Sequence, residues 1–295
     1  MKKINDSVFS RAFDAVNMIF MCILIFVCVF PFYYMAVVSI SNGMSVVRNE
    51  VFLFPIGVNL SAYGIIFDNP LISRAYLNTV CYVTLGTAIN MILTSLCAYP
   101  LSKRSLTGKK FFIAIILFTM LFDGGMIPTY LLVAKFLNLK DTIWAVLLVN
   151  GMSTYNMIIM RTFFQSIPES LHEAATIDGA NDIGIYTKIV IPLSKPIMAT
   201  MLLFYAVAQW NRFFDYILYL SKKVMFPMQL ILRSMVVDGN MGEAVNRIGV
   251  GQDILSVQTN IKYAVILITV LPILILYPFV QKFLIKGVMI GSIKG

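Results

Sequence analysis

The sequence predicts an all-α, polytopic membrane protein with six transmembrane helices, both termini on the inner side, and one inner loop carrying a short helix of its own. Three observations predict it. Charged residues make up 13% of the 295, about half the roughly 25% of soluble domains. The mean hydropathy is +0.84. The missing charge is concentrated in apolar windows of about 20 residues, the length that crosses ~30 Å of hydrocarbon as a helix.

The first span is 15–40. Residues 15–47 carry no charge, far longer than the 7–15 residues of a signal-peptide core, and no Ala-x-Ala site follows, so the segment reads as a retained span. The second span is 75–101. The third, 111–136, is interrupted by Asp123, Gly124, Gly125 and Pro128. The fourth is 142–160, the fifth 193–214 and the sixth 263–281. With the N-terminus inside, the inner segments carry a net charge of +7 and the outer ones +2, together the +9 of the chain. Among short loops the cluster Lys103, Arg104, Lys109 and Lys110 decides the orientation, because basic residues stay on the cytoplasmic side. Tyr33, Tyr34, Tyr130, Trp144 and Tyr216 fall near outer ends, as interfacial anchors would. The outer segment 221–256 joins an amphipathic stretch, 228–237, to a glycine-rich one, 239–251.

Basic residues scattered between apolar runs form no nucleic-acid stripe. Cys22, Cys28, Cys81 and Cys97 lie in apolar stretches without CxxC spacing or nearby histidine, so they read as packing residues rather than a disulfide or zinc site. There is no GxxxxGK[ST], HExxH or GxSxG pattern, so energy from ATP would have to come from another subunit.

The inner loop 166–192 is the most informative segment. Ser166 and Glu169 have capping-box spacing, Pro168 sits in the first turn, and Gly179 supplies a left-handed stop, which predicts a helix of about three turns over 167–178. Leu171, Ala174 and Ala175 form a narrow apolar face suited to a groove on another protein. Asn181 caps a second short helix through Ile189, ending at Pro192. His172, the only histidine, reads as a surface residue of the first helix.

The run Glu173-Ala174-Ala175-x-x-Asp178-Gly179-Ala180, followed by Tyr186, Ile189, Pro192-Leu193 and Pro196, resembles the EAA loop of binding-protein-dependent ABC importer permeases, with tyrosine where phenylalanine is common. Gly125-Met-Ile-Pro128, Trp210-Asn211, Pro227-Met-Gln229 and the tail from Tyr277 to Gly295 are similar to the carbohydrate-uptake branch, in particular LplC/YtcP-type permeases and the maltose-system subunit MalG. The resemblance implies a single permease domain over 1–295 in a bacterial plasma membrane. Its EAA coupling helix would dock into a cytoplasmic ATPase, with Glu173, Ala174, Ala175, Asp178, Gly179 and Ala180 as coupling residues. It further implies a second homologous permease, two ATPase subunits that hold the ATP and Mg, an extracellular solute-binding protein facing 221–256, and an oligosaccharide substrate; no cofactor would sit on this chain.

Candidates for the substrate path come from side-chain chemistry. Asp123 is a charged group at membrane depth beside a permitted helix break. It reads either as a hydrogen-bond partner for sugar hydroxyls or as a cap on the second half of the broken helix, or partner of a basic residue in another subunit. Trp210, Asn211, Phe213, Phe214 and Asp215 combine aromatic faces with groups for hydroxyls, and Tyr155 with Asn156 is similar in kind. Both groups also fit interface anchoring. A secondary transporter or channel is the main competing class; it predicts repeat symmetry and further buried ionisable chains, and neither is visible. A structural scaffold would need no hydrophilic path.

Overall fold

The computed structural model describes residues 8–236 and 254–292. Among the described residues every regular element is helical. They fall into two compact units, Met1–Asn69 with Ser234–Val270 and Pro70–Arg233 with Leu271–Gly295.

The first unit is built on α1 (Val8–Ser39), with α2 (Gly43–Val47) and α3 (Ser61–Asp68). Its small core joins Val37, Val38 and Val51 to Tyr34, Val46 and Tyr263. Asn260 Nδ2 donates to the Ser41 carbonyl at 2.6 Å, and Ser39 Oγ pairs with the Tyr63 hydroxyl at 2.8 Å. Most of the apolar length of α1 is exposed in the single chain, which suits a helix whose surface meets lipid tails.

The second unit is organised by α4 (Pro70–Ser102). Its buried face is rich in small and polar residues, including Gly86, Thr87, Asn90, Thr94, Ser95 and Ala98. Such residues let helix backbones approach closely where apolar bulk gives no preference over lipid. Against α4 pack α8 (Thr154–Gln165) and α12 (Lys195–Asn211). The core at the α8 end of this group contains Met91, Tyr99, Met157, Met160, Phe164, Val190, Met201 and Tyr205.

The third predicted span is divided where expected. Helix α5 (Lys109–Leu121) stops, the Asp123 carboxylate accepts from Gly125 N at 3.1 Å, Gly125 takes a φ of +84°, and α6 (Met126–Tyr130) continues as a π turn to Phe136. The two halves are bent by 108°. The fourth predicted window, 142–160, is not one helix but two, α7 (Ile143–Leu148) and α8. The cause is local: Asn150-Gly151 turns the chain, with Gly151 N donating to the Leu148 carbonyl at 3.0 Å, and Ser153 Oγ caps α8 by accepting from Asn156 N.

Helix α12 is preceded, across a bend of 83°, by helical turns over residues 182–193. It is followed by α13 (Phe214–Tyr219) and α14 (Met228–Val236), and the last helix is α15 (Ile254–Ser292). Among the described residues, three helices, Phe9–Ser39, Pro70–Ser102 and Gln258–Pro278, are long and apolar enough to cross a membrane, or up to five spans if each bent pair counts as one. The glycine-rich stretch 239–251 lies outside the described residues, as do Lys2, Lys3 and Lys294.

Candidate functional site

The inner loop forms α9 (Glu169–Ile177), a turn, and α10 (Asp182–Ile185), extended by a π turn over Tyr186–Val190 and by α11 (Ile191–Leu193). The turn is set as the residues require. Gly179 has a φ of +80° with open space around it, a conformation that costs a β-carbon-bearing residue strain. Ala180 N donates to the Ala175 carbonyl at 2.9 Å, and Asn181 Oδ1 accepts from Gly184 N at 2.8 Å, which caps α10.

Three expectations for this loop are corrected. The capping box does not form: Ser166 Oγ donates back to the Phe163 carbonyl at 2.7 Å, at the end of α8, and α9 begins later behind Pro168 with no side-chain cap. Nor do Ala174 and Ala175 share an outward face. Ala175 is 8% exposed and packs into the protein's own core, whereas Glu173, Ala174, Asp178 and Gly179 are exposed and Ile177 is 85% exposed. The second helical segment also passes Pro192, in a helical run over residues 182–193 that carries a π turn at Tyr186–Val190 just before the proline.

The loop is fastened to the C-terminal end of α4. The Tyr99 ring stacks near those of Tyr186, at 5.1 Å between centroids, and His172, at 6.4 Å, and the Lys103 ammonium lies 4.9 Å over it. The Tyr186 hydroxyl donates to Ser95 Oγ at 2.7 Å, a bond that phenylalanine could not make. Lys103 pairs with Asp182, and Arg104 with Glu169 at 3.5 Å. Burial pushes the Lys103 pKa down, but its interactions with Asp182 and Tyr99 together outweigh this and hold it above the usual lysine value. Arg161 Nε donates to the Leu101 carbonyl at 2.9 Å and Lys109 Nζ to that of Lys103 at 2.9 Å, so cations meet the carbonyl end of α4. A cavity of about 1030 Å³ opens between these residues and α9, lined by both signs of charge from Lys103, Arg104, Glu169, Glu173 and Asp182.

The other candidate residues separate by burial. Trp210 is 7% exposed and its ring meets Tyr76 edge-on at 6.1 Å, so it packs the bundle and does not present a face. Tyr216, expected as an interfacial anchor, is buried and stacked on Tyr82 at 5.5 Å. Asn156 is buried beside an exposed Tyr155. Asn211 is exposed and donates to the Val207 carbonyl. Phe213 and Phe214 remain exposed, with rings edge-to-face at 6.4 Å. Asp123 is exposed and carries the cap described above.

Asp215 is already occupied. Its Oδ2 accepts from Asn150 Nδ2 at 2.7 Å and lies 3.3 Å from Arg212 Nε, while Arg212 also donates to the Val146 carbonyl. Asn90 Nδ2 donates to the Asn150 carbonyl at 2.6 Å, and Gln209 Nε2 donates to Asn90 Oδ1 at 2.9 Å. One polar chain thus runs Gln209, Asn90, Asn150, Asp215, Arg212 and ties the α7–α8 break to the α12–α13 break. A parallel link is made by Tyr205, whose hydroxyl pairs with Thr94 Oγ1 at 2.6 Å and accepts from Ser153 N at 3.1 Å. Non-helical backbone within a bundle persists only where such partners exist. The sequence reading missed this seam, although two amides in apolar windows, Asn90 and Gln209, were a visible signal.

Residues 2–290 match the family described as binding-protein-dependent transport system inner membrane component, and the chain belongs to it. It is 42% identical to the polygalacturonan/rhamnogalacturonan transport system permease protein YtcP of Bacillus subtilis, over 97% of this chain and 99% of that one. It is 40% identical to protein LplC of the same organism, over 97% and 96% of the two chains. Among solved structures, it resembles a chain of a bacterial ABC transporter involved in the import of the acidic polysaccharide alginate, at 35% identity and a TM-score of 0.86, covering 94% of this chain and 98% of that one. The protein is therefore a membrane permease component of an importer rather than a secondary transporter or channel.

Proposed function

We propose that this chain forms half of the pathway of an ABC importer for oligosaccharides, and acidic ones in particular. The names of its similar relatives support the substrate class. In this reading a second homologous permease completes the pathway, an extracellular solute-binding protein delivers the sugar, and ATP with Mg is hydrolysed on two separate cytoplasmic subunits. Six spans place both termini inside, with the fourth crossing carried by the broken pair α7 and α8.

The observation that carries the coupling role is the two-sided loop. One side of α9 is anchored through Ala175, Tyr99 and Tyr186 to the protein's own core; the other presents Glu173, Ala174, Ile177 and Asp178. A partner cleft that closes on the exposed side moves the anchored side with it, because packed elements transmit displacement rather than absorb it. The exposed carboxylates suit charge-assisted bonds to basic groups of the ATPase.

The test is reconstitution of the full assembly with Gly179→Pro. Proline fixes φ near −65° and cannot hold the +80° turn, so both the ATPase stimulation by loaded binding protein and sugar uptake should be lost while insertion is retained. Intact stimulation and uptake in a correctly inserted complex would refute the coupling assignment.

A further inference from the structure

Beside the α12–α13 break stand two guanidinium groups in different electrostatic situations. Arg212 is neutralised by Asp215 and bonded to the Val146 carbonyl. Arg233, on α14, has its guanidinium carbon 5.8 Å from the centroid of the Phe213 ring, and among the described residues no carboxylate lies within ion-pair distance of it. The separation is within the ~6 Å of a cation–π contact.

A guanidinium whose neighbour is a ring rather than a carboxylate keeps N–H donors available, and a pair of them matches a carboxylate in a two-bond fork. Beside it, Phe213 and Phe214 are 42% and 49% exposed, set edge-to-face. Exposed rings in this arrangement accept the C–H face of a pyranose. One place therefore offers an apolar platform and a cation with no ion-pair partner among the described residues, the two features by which a uronic-acid unit is told from water and from a neutral sugar. We propose that Arg233, seated on Phe213 beside Phe214, recognises the carboxylate of a uronate unit in the transported oligosaccharide. The inference rests on the importer reading above and adds to it the residue that selects for charge.

The test uses the assembled complex with its partner permease, ATPase and binding protein, reconstituted in vesicles of zwitterionic lipid so that no anionic headgroup competes. Uptake is measured for trigalacturonate and for its fully methyl-esterified, uncharged counterpart. The binding protein's own preference is common to all variants, so a change in the acid-to-ester ratio reports the permease. Arg233→Gln should lower that ratio by roughly tenfold, the size of a lost charge-assisted bond, Arg233→Lys should restore part of it, and Phe213→Leu should reduce uptake of both oligomers alike. An unchanged ratio in Arg233→Gln with uptake preserved would overturn the proposal. If Arg233→Gln does not assemble, the ratio in Arg233→Lys decides: a value equal to wild type overturns the proposal, and a partial fall supports it. Failure of the wild-type assembly to take up either oligomer would overturn the oligosaccharide reading itself, and this inference with it.

Discussion

At Gly179 the chain reverses through a glycine in open space, and charged side chains on the rim hold the turn to α4. At Arg212 and Phe213 the chain also leaves a helix, but there it is held from inside, by amides and a carboxylate on three neighbouring segments. The first break leaves polar groups exposed; the second spends them on the fold. At the first break Asn181 and Asp182 also serve the fold, as a helix cap and as the partner of Lys103, while Asp178 stays exposed; at the second, Asn150, Asp215 and Arg212 are all engaged.

The largest expected effect separates these roles at Asp215. Asp215→Ala leaves the mostly buried Arg212 without its counter-charge, which should cost about 3 kcal/mol, read as a lower unfolding temperature of the purified permease complex. Were Asp215 a sugar contact instead, uptake would fall with stability unchanged. Next in size is the seam between α4 and α12. A Cβ added at Gly86 would stand 2.6 Å from Gln209 Nε2, so Gly86→Ala should displace the amide and orphan Asn90, at a cost of roughly 1–3 kcal/mol. Gly86→Ala combined with Gln209→Ala should cost less than the sum of the two, and full additivity in thermal unfolding would show that the two sites do not couple.

At the exposed break the costs should be smaller and fall on function. Gly179→Ala meets no neighbour, so only the left-handed conformation is penalised, by about 1 kcal/mol. Stability should barely move, while coupling of ATPase activity to loaded binding protein declines. The smallest effect concerns pH. The raised pKa of Lys103 means that its pairing with Asp182 contributes fully below the ordinary lysine value of 10.5 and is lost only as pH rises through the higher folded value. Protection of the amides of α10, where Asp182 sits, from hydrogen exchange, corrected for intrinsic rate, should therefore stay flat across neutral pH and fall only in strong alkali.

How much was legible in the sequence follows the same division. The exposed loop could be read in part because its devices are local: the glycine turn and the Asn181 cap both survived into the structure. The capping box at Ser166 failed because the same hydroxyl found a nearer carbonyl behind it, at Phe163. The broken fourth crossing was missed because an uncharged window looks continuous by hydropathy, while Asn150, Gly151 and Ser153 end the helix through bonds to residues up to 65 positions away. Trp210 was assigned a face by its chemistry and lost it to Tyr76, a neighbour that spacing within one helix does not reveal.

The most direct measurement is site-specific cross-linking from α9 to the ATPase in the assembled, otherwise cysteine-free complex. Ala174→Cys and Ala175→Cys differ by one position and by which side of the helix they report. Cross-links should form from position 174 and not from 175, in keeping with the exposed and buried sides of the loop. Cross-linking from 175 alone, or from neither position in a complex that hydrolyses ATP in response to substrate, would contradict the account.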